Sequence, residues 1–333
     1  MKLLVTGGAG FIGSNFIRYT LQEHPRWAVT NLDKLTYAGN LDNLKEIQNE
    51  PRYHFIKGDI TDWELMDELL GHGFDAIINF AAESHVDRSI LDASPFIETN
   101  VKGTEVLLEG AKIHQIQKFI QISTDEVYGS IDSGCCDEVS LLSPNSPYSA
   151  SKAAADLLCH AYFQTYRLPV IITRCTNNFG SYQFPEKLIP LVITNALEGK
   201  PIPVYGNGLN MRDWIFVLDH CRAIDIILQK GKPGEVYNIA GGNEKTNLEV
   251  TYRLLTLLDK PKELIEFVPD RPAHDHRYAL NTAKIAKELG WKPDYSFEKA
   301  LSITVNWYLK NELWWKKNKN GEYAKYYERM YRQ

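Results

Sequence analysis

Long apolar runs are the first thing this sequence lacks. The longest, Leu168 to Ile172 and Phe74 to Ala82, fall far short of the roughly 20 residues a membrane-spanning helix needs. No membrane partner is expected. The N-terminus offers no leader pattern either: Lys2 precedes Leu3, Leu4 and Val5, but glycines interrupt before an apolar region forms, so this stretch reads as a buried strand. Cysteine is scarce, five residues without metal-ligand spacing, which argues against a disulfide framework or a zinc site and fits a reducing cytoplasm. No metal is expected. An excess of one charge is missing as well: 37 basic against 42 acidic residues give a net charge of −5, so no global field draws in nucleic acid. Any anion must be bound locally. Repeats are absent, and the one compositional bias, Lys/Asn/Trp over Leu313 to Lys319, reads as a solvated helix end.

What is present is an ordinary globular composition, 44% hydrophobic over 333 residues, long enough for one large α/β domain or two joined ones. Short apolar runs alternate with helical periodicity. Lys2 to Thr6, Ala28 to Leu32, Tyr53 to Lys57, Ala76 to Phe80, Phe119 to Ser123 and Val170 to Arg174 read as strands. Phe11 to His24, Leu41 to Asn49, Trp63 to Leu70, Pro95 to His114 and Ser149 to Tyr166 read as helices. This alternation predicts an α/β fold, a Rossmann-like doubly wound parallel sheet. After about Phe179 shorter elements imply a smaller C-terminal α/β lobe. The expected division is 1–178 for dinucleotide binding and catalysis, and 179–333 mainly for the substrate, with the chain free to cross between them.

Three constellations carry chemistry. Gly7, Gly10 and Gly13, with Gly8, satisfy the dinucleotide turn between the first strand and first helix. Glycine there lets backbone approach a pyrophosphate held at a helix N-terminus. Asp33, 20 residues past Gly13, can accept from a ribose and would repel a 2′-phosphate, which favours NAD over NADP. A purely structural turn is the competing reading. Asp59 after the third strand, and Ala81, Ala82 and Ser84 after the fourth, occupy the ligand-facing edge, whereas Asp62 reads as a helix cap. Tyr148 and Lys152 stand at i and i+4 on one helix face, where an ammonium and a cationic nicotinamide should favour phenolate and make Tyr148 a base; any amphipathic helix can also produce that spacing. Thr124, Asp125 and Glu126 close the fifth strand. Beyond a strand end two adjacent acids can enter one cleft, one donating while the other accepts, as removal of a carbon-bound proton with loss of a hydroxyl requires. A solvated Asx turn is the bland alternative.

On these residues, together with Ala81 to Asp87, Asn177-Asn178-Phe179-Gly180, Phe184 to Pro190, Arg212-Asp213-Trp214 and Asp270-Arg271-Pro272, the chain resembles the extended short-chain dehydrogenase/reductases, most closely the dTDP-glucose 4,6-dehydratases. Ala273 departs from the family's usual glycine. The resemblance implies that Tyr148, assisted by Lys152 and Thr124, takes the proton of the sugar 4-hydroxyl as hydride leaves for NAD; that Glu126 removes the C5 proton while Asp125 protonates the departing C6 hydroxyl; and that hydride returns to C6. Gly7, Gly10, Phe11, Ile12, Gly13, Asp33, Asp59, Ile60, Ala81, Ala82, Ser84, Tyr148, Lys152 and Asn178 would bind the cofactor. Ser84, Thr124, Asn177, Lys187, Leu188, Pro203, Tyr205, Arg212, Asn247, Arg271 and His274 would bind a nucleoside diphosphate glucose, with Tyr205 stacked on the pyrimidine and the arginines on pyrophosphate. His85 and Asp87 would support them. A homodimer through Pro95 to His114 and Ser149 to Tyr166 is implied. Dehydration of UDP-glucose, 4-epimerisation of a nucleotide sugar, and a catalytically silent NAD-binding scaffold stay open at this point.

Overall fold

Twelve strands are assigned in the computed structural model, which describes residues 1–319 and 321–331. They are β1 (Lys2–Thr6), β2 (Ala28–Asp33), β3 (Tyr53–Lys57), β4 (Ala76–Asn79), β5 (Lys118–Thr124), β6 (Val170–Cys175), β7 (Asn177–Phe179), β8 (Ile202–Tyr205), β9 (Met211–Phe216), β10 (Val236–Ile239), β11 (Glu244–Thr246) and β12 (Ile265–Val268). Positions 320, 332 and 333, which fall in the expected 179–333 lobe, lie outside the described residues. Seven strands form one sheet in the order β10-β6-β5-β4-β1-β2-β3, and every pairing in it is parallel. Parallel neighbours need crossover connections, and the helices supply them on both faces.

The alternation of strand side chains decides which residues enter which core. Leu3, Val5, Ile78, Ile120 and Ile171 join the apolar cluster on one face, whereas Leu4, Ile77, Phe119 and Ile172 join the other. Each such fully buried side chain contributes about 1.5–3 kcal/mol. Polar residues bridge the strands near their carboxyl ends: the Thr6 hydroxyl donates to Asn79 Oδ1 at 2.6 Å, and Asn79 Nδ2 donates to Gln121 Oε1 at 2.9 Å. Strand order reverses at β1, between β2 and β4, so a crevice opens outside the carboxyl ends there.

Beyond β6 the chain builds a three-stranded sheet, β11-β9-β7, and a two-stranded one, β12-β8. It also returns to the main sheet, since β10 pairs with β6. Two elements differ in kind from the expected helices. Leu41–Ile47 is a 3₁₀ helix, and the span from Pro95 to His114 carries a π turn over Ile97–Lys102. π turns gather at functional sites, and this one aims Asn100 at the loop after β4: its amide accepts from Glu83 N at 2.9 Å and donates to Glu83 O at 3.0 Å.

The segment from Leu313 to Lys319 is not a solvated helix end. Leu313 is exposed, but Trp315 is buried and donates to Tyr308 O at 3.0 Å, and Lys319 reaches Glu198 at 2.6 Å. Trp314 donates to Asn43 Oδ1 at 2.9 Å, and Asn43 Nδ2 donates to Ala9 O at 2.9 Å. Two indoles outweigh the polar composition, because Trp315 is buried and the half-buried Trp314 packs edge-on against Trp307 and Tyr308. No helix among the described residues is long and apolar enough to cross a membrane.

Candidate active site

The crevice at the carboxyl ends of the strands is a cavity of about 300 Å³. Its first wall is the turn after β1. Gly7 has φ +68°, and a Cβ on it would lie 2.6 Å from Ala81 N; a Cβ on Gly13 would lie 2.5 Å from Gly7 O. Only glycine fits either place. The helix Phe11–Glu23 that follows has Gly10 at its N-cap and no side chain capping it, so its first N–H groups and their partial positive charge face the cavity rim.

Asp33 ends β2 with one carboxylate oxygen accepting from Ala9 N at 2.8 Å and the other from Leu35 N at 2.8 Å. Each oxygen retains a second lone pair for a ribose hydroxyl. Burial pushes this carboxyl up, against the two backbone bonds. Asp59 meets Lys34 at 2.5 Å, while Asp62 caps its helix through Leu65 N at 3.1 Å. Every residue expected to bind the cofactor lines this cavity, from Gly7 to Asn178.

The catalytic candidates converge on its inner end. β5 stops at Thr124 and a 3₁₀ turn, Asp125–Tyr128, begins. That change of backbone brings both acids to one cavity, which β-alternation would have prevented. The Thr124 hydroxyl donates to Asp125 Oδ1 at 3.1 Å and accepts from Glu126 N at 3.3 Å. Burial, then the neighbouring Glu126 charge, push the Asp125 carboxyl up to about 8. Glu126 is also raised by burial, but Arg271, Arg212 and Lys187 oppose the rise. One acid of the pair therefore keeps its proton at neutral pH.

Tyr148 and Lys152 come from the helix Pro147–Tyr166, opened by a capping box in which Ser146 and Ser149 satisfy each other's backbone N–H. The Tyr148 phenol lies well above its ordinary value, first through burial and then through Glu126. The expected phenolate is not favoured by Lys152 in this structure: its ammonium donates to Ile122 O at 2.6 Å. A further cation must enter before Tyr148 ionises. Burial lowers Lys152, opposed by Asp156 one helical turn on, and Asp156 is itself paired with Arg174 at 2.8 Å.

The substrate candidates divide. Ser84, Thr124, Asn177 and Lys187 line the same cavity, with Lys187 Nζ donating to Ser84 O at 2.9 Å. Leu188, Pro203, Tyr205, Arg212, Asn247, Arg271 and His274 do not line it. Tyr205 donates to Asp87 Oδ2 at 3.0 Å, Arg271 lies 3.3 Å from Asp87 Oδ1, and His274 meets the Tyr205 ring edge-on. Arg212 directs its Nη groups at the carbonyls of Met211, Asp275 and His276. Both arginines act on Glu126 through space, so this second cluster adjoins the acid pair. Asn247 opens the helix Asn247–Leu257, its N–H on Asn210 O. Pro203 is buried within β8.

Sequence reasoning missed Lys34, Thr36, Ala38, Gly39, Cys175 and Gln183 on the cavity wall, and gave no role to Glu83 and Glu186, which lie in the stretches Ala81 to Asp87 and Phe184 to Pro190. Position was the available signal for the first four, which follow β2 at the ligand-facing edge. The cavity also holds buried polar atoms without hydrogen-bond partners: Asp125 Oδ2, Ser123 Oγ, Thr176 Oγ1, Asn177 Oδ1 and Gln183 Oε1. Each such atom costs about 1–3 kcal/mol unless something bonds it. A polar ligand fits that demand.

The family model described as GDP-mannose 4,6 dehydratase matches residues 4–304. A dTDP-glucose 4,6-dehydratase of Streptomyces niveus is 52% identical over 328 residues, covering 97% of each chain. The solved dTDP-glucose 4,6-dehydratase of Bacillus anthracis, in complex with NAD, is 55% identical with a TM-score of 0.91, covering 96% of this chain and 100% of that one. Its counterpart from Streptomyces venezuelae, also with NAD bound, is 52% identical with a TM-score of 0.94 at the same coverage. Identity of this degree along almost the whole chain, over a parallel sheet whose crevice holds a dinucleotide turn, an acid pair and a tyrosine, places the chain among the dTDP-glucose 4,6-dehydratases, the family to which it belongs.

Proposed function

We propose that the protein converts dTDP-glucose to dTDP-4-keto-6-deoxyglucose on a bound NAD. The turn from Gly7 to Gly13, Asp33 and the unbonded polar atoms of the cavity fit that cofactor. When bound, NAD would supply a reversible hydride acceptor, and with the hydride returned in the same turnover the reaction would have no net redox change. Tyr148 removes the proton of the 4-hydroxyl once positive charge has entered its buried surroundings. Lys152, fixed on Ile122 O, lines the same cavity one helical turn from Tyr148. With the sugar ketone formed, Glu126 takes the acidified C5 proton, helped toward the carboxylate by Arg271, Arg212 and Lys187. Asp125 gives its proton to the C6 hydroxyl, which leaves as water. Thr124 keeps the two acids in register through its hydroxyl.

The observation that carries the reading is the pair of consecutive acids in one buried cavity with the first held protonated, its carboxyl at about 8. Acid and base beside one another suit elimination of water across a carbon–carbon bond. The thymidine nucleotide follows the relatives' shared name. Incubation with dTDP-glucose, and in parallel UDP-glucose, followed by mass spectrometry should show loss of one water from the thymidine sugar. Epimerised sugar of unchanged mass, or no reaction with either, would overturn the proposal.

The same proposal includes a homodimer. Ile97 and Leu157, 52% and 60% exposed, lie on the segments expected to pair, and apolar side chains so placed favour a partner. Sedimentation should give twice the monomer mass, and Leu157→Asp should reduce it. It also includes a reducing, cytoplasmic location, supported by five free thiols; cell fractionation tests it.

A further inference from the structure

Three segments bordering the cavity meet through one buried carboxylate. Glu186, whose side chain is 2% exposed, belongs to the loop before the helix Leu188–Glu198 and lines the cavity. Its Oε1 accepts from the Tyr37 hydroxyl at 2.9 Å, and its Oε2 from Arg88 Nε at 3.2 Å. Tyr37 lies in the loop after β2, whose Thr36, Ala38 and Gly39 also line the cavity. Arg88 comes from the short helix Val86–Leu91 after β4 and lays its guanidinium 3.7 Å from the centre of the Tyr37 ring. Phe184 packs edge-on against that ring at 5.6 Å.

The geometry points to a clasp in which Tyr37, Arg88 and Glu186 tie these segments together and retain the dinucleotide through turnover. They are positioning residues: no proton or hydride passes through them. The inference rests on the proposed NAD-dependent reaction, which gives the clasp its purpose. The cofactor that receives the hydride must be the one that returns it, so release between the two transfers strands a half-reacted sugar. An enzyme that exchanges its cofactor every cycle needs the opposite, an open cleft. The contacts suit retention because a carboxylate taking one bond from each of two segments is lost only when both let go together. Charge-assisted bonds are also about twice as strong as neutral ones.

The test is the rate at which labelled NAD leaves the full-length protein after rapid desalting into unlabelled NAD, with substrate absent. Tyr37→Phe removes only the hydroxyl bond and Glu186→Gln weakens both. Release roughly 10- to 100-fold faster than wild type is expected for each, the rate equivalent of one charge-assisted bond. The double variant should speed NAD release by clearly less than the product of the two single effects, since both act on one carboxylate. Circular dichroism of Tyr37→Phe should match wild type, so a folding defect is not mistaken for release. Wild-type release rates in a folded Tyr37→Phe, or single effects that multiply fully in the double variant, would overturn the clasp. Wild-type protein that takes up no NAD at all would instead overturn the functional reading beneath it.

Discussion

Asp125→Asn should stabilise the fold while removing the acid. The carboxyl stands at about 8 in the folded chain against an ordinary 3.8, so between those values the folded state holds a proton that the unfolded state has lost. A group raised in this way contributes stability below its unfolded value, and that contribution is lost as pH rises through the folded one. Asparagine has the same shape and carries no such dependence. The difference in unfolding free energy between the variant and wild type should therefore grow with pH by about 1.4 kcal/mol per unit. From pH 4 to pH 7 that amounts to about 4 kcal/mol in favour of the variant, levelling off above about 8. Urea unfolding of both proteins across this range, followed by tryptophan fluorescence, measures it. A difference that stays flat, or that shrinks as pH rises, would refute a buried protonated carboxyl at 125. The wild-type kcat/KM should fall as pH climbs past about 8, since the proton due to the leaving hydroxyl is then gone.

Tyr148→Phe should lower turnover roughly 100-fold or more, the usual yield of a general base, and show no near-ultraviolet absorbance of reduced cofactor; rapid appearance of that absorbance would remove Tyr148 from the first step. Glu126→Gln should reduce the cofactor and then stall, so the absorbance rises and persists, whereas wild-type turnover would clear Glu126 of the chemistry. Gly7→Ala must accommodate φ +68° and a Cβ 2.6 Å from Ala81 N, which should cost about 1–3 kcal/mol of backbone strain before the clash is counted and weaken NAD retention in a desalting assay. Asp156→Asn should cost about 3–5 kcal/mol by leaving the Arg174 guanidinium buried without its counter-charge; adding Arg174→Met should recover most of that in thermal melts, and a double variant no better than the single would refute the pairing.

The parallel sheet could be read from the sequence because its strands are apolar on both faces and end in glycine or small polar residues. Such runs alternate visibly with helical periodicity. The cavity's cofactor wall was legible for the same reason: strand carboxyl ends sit at predictable places, and Asp33 and Thr124 end a strand while Gly7 and Ala81 follow one. The neighbourhood of Asp87 was legible only through the family resemblance, which named Asp87 as a support for these residues, and not through periodicity. Tyr205, Arg271 and His274 reach it from loops and short strands whose pairing no periodicity announces. The bond from Tyr37 to Glu186 spans 149 positions and joins residues that look like ordinary loop polarity. The tail after Leu313 was misread because its lysines and asparagines dominate the composition, while two indoles decide the packing.

The path from Trp314 through Asn43 to the Ala9 carbonyl has a consequence for synthesis on the ribosome. The glycine turn is synthesised long before the indole that anchors one of its braces. A nascent chain can form the sheet early but holds that turn without this prop until Trp314 has emerged. Chains truncated just before Trp314 should therefore fold and fail to load their nucleotide.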